Sequence, residues 1–89
     1  MGRCRYENLS QIEFALDEIR KLEKLKEPKP GIFYLKSQGF LHFHEKEDKI
    51  WADVKDKAGW VSIDVPKKPT KKFLKNFVSL VTNYYEKAL

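Results

Sequence analysis

The sequence predicts an α+β domain, a four-stranded antiparallel meander with two helices packed on one of its faces. Three observations carry this. An apolar stripe at helical spacing lies near each end of the chain. Four short runs rich in aromatic and β-branched residues lie between them. The segments joining those runs are too short for anything but hairpins. The order is α-β-β-β-β-α within a single domain over residues 1–89. Both helices have one apolar face and a lone sheet needs a cover, so both are expected on the same side.

The first helix is predicted over about 10–26. Ser10 is a good N-cap, and Glu13, three residues on, completes a capping box. Leu9 and Phe14 occupy the hydrophobic-staple positions. Ile12, Ala15, Leu16, Ile19, Leu22 and Leu25 then recur on one helical face. Lys21, Lys24 and Lys26 suit the negative end of the dipole, and Pro28 with Pro30 ends the helix.

The strands are predicted at about 32–36, 40–45, 49–55 and 60–65. Ser37-Gln38-Gly39, Lys46-Glu47-Asp48 and Asp56-Lys57-Ala58-Gly59 supply the turns. The second helix runs over about 70–88. Thr70 is its N-cap, and Phe73, Leu74, Phe77, Val78, Val81, Tyr84 and Tyr85 form its apolar stripe.

Alternation proposes a register. The inward set is Phe33, Leu35, Leu41, Phe43, Ile50, Ala52, Val54, Val61, Ile63 and Val65, all apolar. The loop lengths set Lys36 opposite Phe40, Glu45 opposite Ile50 and Lys55 opposite Trp60. Two apolar rows then cross the sheet: Leu35, Leu41, Val54, Val61, and Phe33, Phe43, Ala52, Ile63. A slip of one residue would place charges among them.

The same register gives the opposite face. Its rows are Tyr34, His42, Asp53, Ser62; Ile32, His44, Trp51, Asp64; and Lys36, Phe40, Lys55, Trp60. A solvated sheet face is normally Lys, Glu, Thr and Ser. A concentration of rings there marks an interaction site. The candidate interaction face is therefore Tyr34, Phe40, His42, His44, Trp51, Asp53 and Trp60.

Three uses suit such a face. Self-association as a homodimer, or binding of a protein partner, is the first, because aromatics with a few polar groups compose interface centres. Single-stranded nucleic acid is the second, with Trp51, Trp60, Phe40 and Tyr34 stacking bases and lysines collecting phosphates. Against it, residues 31–65 carry five bases and six acids. A metal or acid–base site is the third. His42 and His44 leave one face about 7 Å apart at their backbone origins, and Asp53 would add a carboxylate. The bland alternative is a cross-strand polar pair of His42 with Asp53. No phosphate loop, HExxH or nucleophile elbow is present, so the expectation is a non-catalytic interaction module requiring no cofactor.

Charge is concentrated at the end of the chain. Residues 66–89 carry six lysines and one acid, equal to the net charge of +5. Lys67, Lys68, Lys71, Lys72 and Lys75 surround the start of the second helix and form a candidate anion-binding segment. The plain alternative is a solvated basic end. The single cysteine, Cys4, excludes a disulfide framework within one chain. No apolar run approaches the roughly 20 residues of a membrane span. No signal-peptide core opens the sequence, so a cytoplasmic setting without membrane contact is expected.

The stretch Gly39-Phe40-Leu41-His42-Phe43-His44-Glu45, with Trp51-Ala52-Asp53-Val54-Lys55 and Trp60, resembles a small prokaryotic family sharing an FLHFHE…ADV core. The resemblance covers residues 32–65. That family has no assigned activity, so the resemblance implies a bacterial or archaeal cytoplasmic protein and transfers no site residue.

Overall fold

A computed structural model describes Gly2, Arg3 and residues 11–89. Along the chain the elements are β1 (Gly2–Arg3), α1 (Glu13–Arg20), β2 (Leu25–Lys29), β3 (Ile32–Leu35), β4 (Gln38–Lys46), β5 (Lys49–Asp56), β6 (Gly59–Val65) and α2 (Lys71–Ala88). The class is α+β with an antiparallel sheet, as predicted. The main sheet has five strands rather than four, in the order β2-β3-β4-β5-β6. The two-residue β1 adds to β4 off that path, with Gly2 opposite Glu45 and Arg3 opposite His44.

The extra strand takes the last two residues of the expected first helix and the three that follow them. The helix stops at Arg20, where the amides of Lys21 and Leu22 reach back three residues to Glu18 and Ile19. The chain then turns, and Leu25–Lys29 pairs with β3. Leu22 and Leu25 still pack against the core, which is why they continued the helical count. Pro30-Gly31 is a hairpin turn between Lys29 and Ile32, not a helix stop. Gly31 has φ 79°, the left-handed conformation that a Pro-Gly type II turn needs at its second central position. Pro28 sits in an edge strand, where its missing N–H leaves no ladder bond unmade.

At the front of α1, Ser10 and Leu9 lie outside the described residues. Ile12 occupies the N-cap position without a side-chain cap, and Glu13 accepts a bond from Arg20. At the other helix the prediction holds. Thr70 Oγ1 accepts the amide of Phe73 at 3.0 Å, satisfying one of the donors a helix start leaves open.

The β4–β5 and β5–β6 registers match the expectation residue for residue, including His42 opposite Asp53, Phe43 opposite Ala52 and Lys55 opposite Trp60. The β3–β4 register differs. A two-residue turn, Lys36-Ser37, joins these strands, with φ 54° and 67°. Both residues are left-handed, as a type I′ hairpin requires. Leu35 therefore faces Gln38, and Phe33 faces Leu41 rather than Phe43. A bulge then inserts Phe40 between the partners of Phe33 and Tyr34.

One core lies between the sheet and the two helices. Ala15, Leu16 and Ile19 of α1 and Leu74, Phe77, Val81 and Tyr85 of α2 meet Phe33, Leu35, Phe40, Leu41, Phe43, Ala52 and Val54. Both helices thus cover the same face. Phe77 meets Phe43 at 5.9 Å between ring centroids, and Tyr85 meets Phe40 edge-on at 6.4 Å. α2 lies over β5 and beside α1. Val61, Ile63 and Val65 of β6 point the same way but are only half-buried. No helix among the described residues is long and apolar enough to cross a membrane.

Candidate functional site

The sheet face opposite the helices is the candidate site, and pleat alternation decides who stands on it. Tyr34, His42, His44, Trp51, Asp53, Trp60 and Ser62 share that side of the three ladders that join β3 to β6. Phe40 does not. It is 1 % exposed and belongs to the core. The bulge lets Phe40 and Leu41, consecutive residues, both face the helices. Strict alternation had no means of showing this, so Phe40 is removed from the interaction face. Ile32 stands opposite His42 and is buried although it is no part of the helix-side core.

The rings on this face touch one another in series. Tyr34 lies 6.3 Å from His42, His42 lies 5.1 Å from Trp60 and 6.1 Å from His44, and His44 stacks on Trp51 at 5.6 Å. Gly39 makes the tightest of these contacts possible. A Cβ there would fall 2.9 Å from His42 Nε2 and 3.4 Å from Trp60 Cη2. Glycine is needed at this point for close approach rather than for a special φ. Trp60 remains 46 % exposed and Tyr34 36 %, so the series is open to solvent at both flanks. Lys55 Nζ sits 5.3 Å from the Trp60 ring centroid, in cation–π range.

The polar centre is a chain of three residues. His44 Nε2 is 3.1 Å from Asp53 Oδ2, and Ser62 Oγ donates to Asp53 Oδ1 at 2.6 Å. The carboxylate therefore links the histidine to the serine. Asp53 was expected to pair with His42, directly across the ladder. It reaches His44 on the diagonal instead, while the His42 ring packs against Trp60 and Gly39. This order is not that of a nucleophilic triad. There the imidazole stands between hydroxyl and carboxylate and takes the hydroxyl proton. Here the Ser62 hydroxyl is committed to Asp53. Among the described residues no three His, Cys, Asp or Glu side chains are placed to share a metal ion. The expected set His42, His44 and Asp53 thus reduces to one His–Asp contact.

The basic segment stands elsewhere. Lys67, Lys68, Lys71, Lys72 and Lys75 are all exposed. Lys67 Nζ lies 4.0 Å from Asp48, at the tip of the β4–β5 hairpin. The first turn of α2 carries no acid. Trp60 belongs to the other end of the sheet, near the β5–β6 hairpin that Asp56 and Gly59 close. Trp60 and Lys67 thus stand at opposite ends of the sheet, whereas Trp51, opposite Asp64, stands at the end that Lys67 borders.

Two features escaped the sequence reading. The first is a groove of about 900 Å³ between β2 and the β3–β4 turn, lined by Lys24, Lys26, Glu27, Pro28, Tyr34, Leu35, Lys36 and Ser37. It exists because β2 is a strand, and the Pro30-Gly31 dipeptide was the signal for that. The second is the Arg20 clamp. Arg20 bonds Glu27 through two nitrogens at 2.7 and 3.1 Å, and also Glu13 and Asp17. Glu27 additionally accepts the Gly31 amide. Bonding to Glu27 first, then to Glu13, raises the guanidinium pKa further against a smaller opposing effect of burial. The clamp fastens α1 to the edge hairpin.

No family model, curated protein or solved structure matches this chain.

Proposed function

We propose that the protein is a non-catalytic interaction module that binds protein through its open sheet face, a second copy of itself being the first partner to test. One observation carries the reading: five rings, Tyr34, His42, His44, Trp51 and Trp60, form a contiguous series on the face that neither α1 nor α2 covers. Rings held rigidly by their neighbours lose little entropy on binding. Such a patch resembles the aromatic-rich centre of an interface. The face also carries charges of both signs, Lys26 on β2 at one edge and Asp64 on β6 at the other, with Asp53 and Lys55 on β5 between them, which suits self-complementarity. The Ser62–Asp53–His44 chain supports a fixed surface rather than a reacting one.

Solution mass by light scattering tests the reading. A salt-resistant assembly weakened by Trp51→Ala supports it. An assembly that dissolves steeply with salt points to charge instead.

Single-stranded nucleic acid is the second reading. The observation favouring it is exposed Tyr34 at the rim of the groove that Lys24, Lys26 and Lys36 line, a ring with cations around it. Its test is binding of a short oligonucleotide, with loss on Tyr34→Ala and a steep salt dependence expected.

A further inference from the structure

The two outer strands of the sheet differ in how they are guarded. β2 carries Lys26, Pro28 and Lys29, and its register with β3 shifts between Lys26 and Lys29. Lysine, proline and irregularity are the devices that keep an edge from pairing with another chain. β6 has none of them. Its sequence is Gly-Trp-Val-Ser-Ile-Asp-Val, it pairs with β5 without a bulge over all seven residues, and β5 is its only strand neighbour among the described residues.

The direction of the free backbone groups follows from the hairpin. Asp56 and Gly59 close a two-residue turn and so form a hydrogen-bonded pair. Alternation then aims the N–H and C=O of Val61, Ile63 and Val65 at β5, and those of Trp60, Ser62 and Asp64 away from it. The side chains show an incomplete cover as well. Val61, Ile63 and Val65 face the helix side yet remain half-buried, because α2 lies over β5.

We propose that two copies of this chain pair antiparallel along β6 about a two-fold axis at Ser62, joining their sheets into one. This pairing is independent of the reading of the aromatic face. In that register Ser62 faces Ser62 of the second copy, and Trp60 faces its Asp64, both as hydrogen-bonded pairs that use the outward backbone groups. Val61 faces Ile63 of the second copy on the helix side and completes the half-buried apolar row. On the open side the Asp64 carboxylate of one copy comes beside Trp60 of the other, whose ring carries the Lys55 ammonium. Negative therefore meets positive across the seam, with no like charges directly opposed. An isologous contact of this kind closes at two copies.

The test combines mass and cross-linking. Light scattering over a concentration series of Trp51→Ala, which lacks the proposed contact of the aromatic face, should show a monomer–dimer equilibrium. Asp64→Pro removes one outward N–H and should abolish the dimer while cooperative unfolding persists, because an outward-facing proline is tolerated in an edge strand. Trp51→Ala, on the central strand, should leave this dimer intact. In a Cys4→Ser background, Ser62→Cys should form a disulfide dimer under mild oxidation, the paired Cα atoms being about 5.5 Å apart. Ser79→Cys on α2 should not. A monomer at every concentration overturns the proposal. So does a dimer that survives Asp64→Pro and fails to cross-link through Ser62→Cys. A dimer lost with Trp51→Ala but kept with Asp64→Pro belongs to the sheet face and also overturns edge pairing. If Asp64→Pro does not fold, the Ser62→Cys result decides.

Discussion

His44 and Asp53 are diagonal neighbours across β4 and β5, with Nε2 and Oδ2 3.1 Å apart, although the residue directly opposite Asp53 is His42. The His42 ring packs against Trp60 beside Gly39. The aromatic face is thus set by a polar contact at its centre. Asp53→Ala should loosen both histidines and release Ser62. We expect a loss of about 1–2 kcal/mol in urea unfolding, the range for hydrogen bonds to a partly exposed charged group. His44→Ala should cost less, since Ser62 remains bound to Asp53.

Phe40 and Trp60 should respond in opposite ways to truncation. Phe40 is enclosed by the core, so Phe40→Ala should lower stability by about 3–5 kcal/mol. Trp60 is half-exposed, so Trp60→Ala should cost about 1 kcal/mol or less in the isolated chain and act mainly on binding. Chemical denaturation of the two variants side by side checks this.

Gly39→Ala should disturb the face without unfolding the chain. Its Cβ would press on the end of the His42 ring at 2.9 Å, and that ring packs against Trp60. A cost of about 1–2 kcal/mol is expected from overpacking, together with a changed tryptophan emission spectrum. An unchanged spectrum would mean that Gly39 does not hold the two rings in contact.

The Lys36-Ser37 turn holds two non-glycine residues at positive φ. Ser37→Gly should therefore stabilise the domain by about 0.5–1 kcal/mol in thermal unfolding, part of the roughly 1–2 kcal/mol that this conformation costs a residue with a Cβ. Lys36 is less suitable for the test, because its Nζ donates to the carbonyl of Ala88.

Arg20→Ala should separate α1 from the edge hairpin. It removes bonds to Glu27, Glu13 and Asp17 and leaves Glu27 largely enclosed. A loss of about 1–3 kcal/mol is expected for these charge-assisted bonds, less where water screens them. Faster amide exchange at Gly31, whose N–H Glu27 accepts, would report the same event locally.

The parts of the fold legible in the sequence were those where one local rule acted alone. The ladders from β4 to β6 follow strict alternation and short turns, so the pairs of His42 with Asp53 and Lys55 with Trp60 could be read directly. Thr70 and the stripe of α2 were equally plain. Leu25 was misplaced because a strand residue and a helix residue can face the same core, and the helical count did not stop where the chain did. Phe40 was misplaced because a bulge reverses alternation for one step, and the left-handed Lys36-Ser37 turn behind it contains no glycine to announce it. The membership of the aromatic face was otherwise readable. Its internal contacts were not, because the choice of His44 over His42 as the partner of Asp53 depends on side-chain rotamers rather than on register.

The aromatic sheet face is proposed here as a protein-binding surface. The most direct measurement is the solution mass by light scattering of the wild-type chain and Trp51→Ala, each at low and high salt. An assembly larger than one chain is expected at both salt concentrations, with a smaller mass for Trp51→Ala. A wild-type monomer, or an assembly whose mass Trp51→Ala leaves unchanged, would contradict self-association through this face.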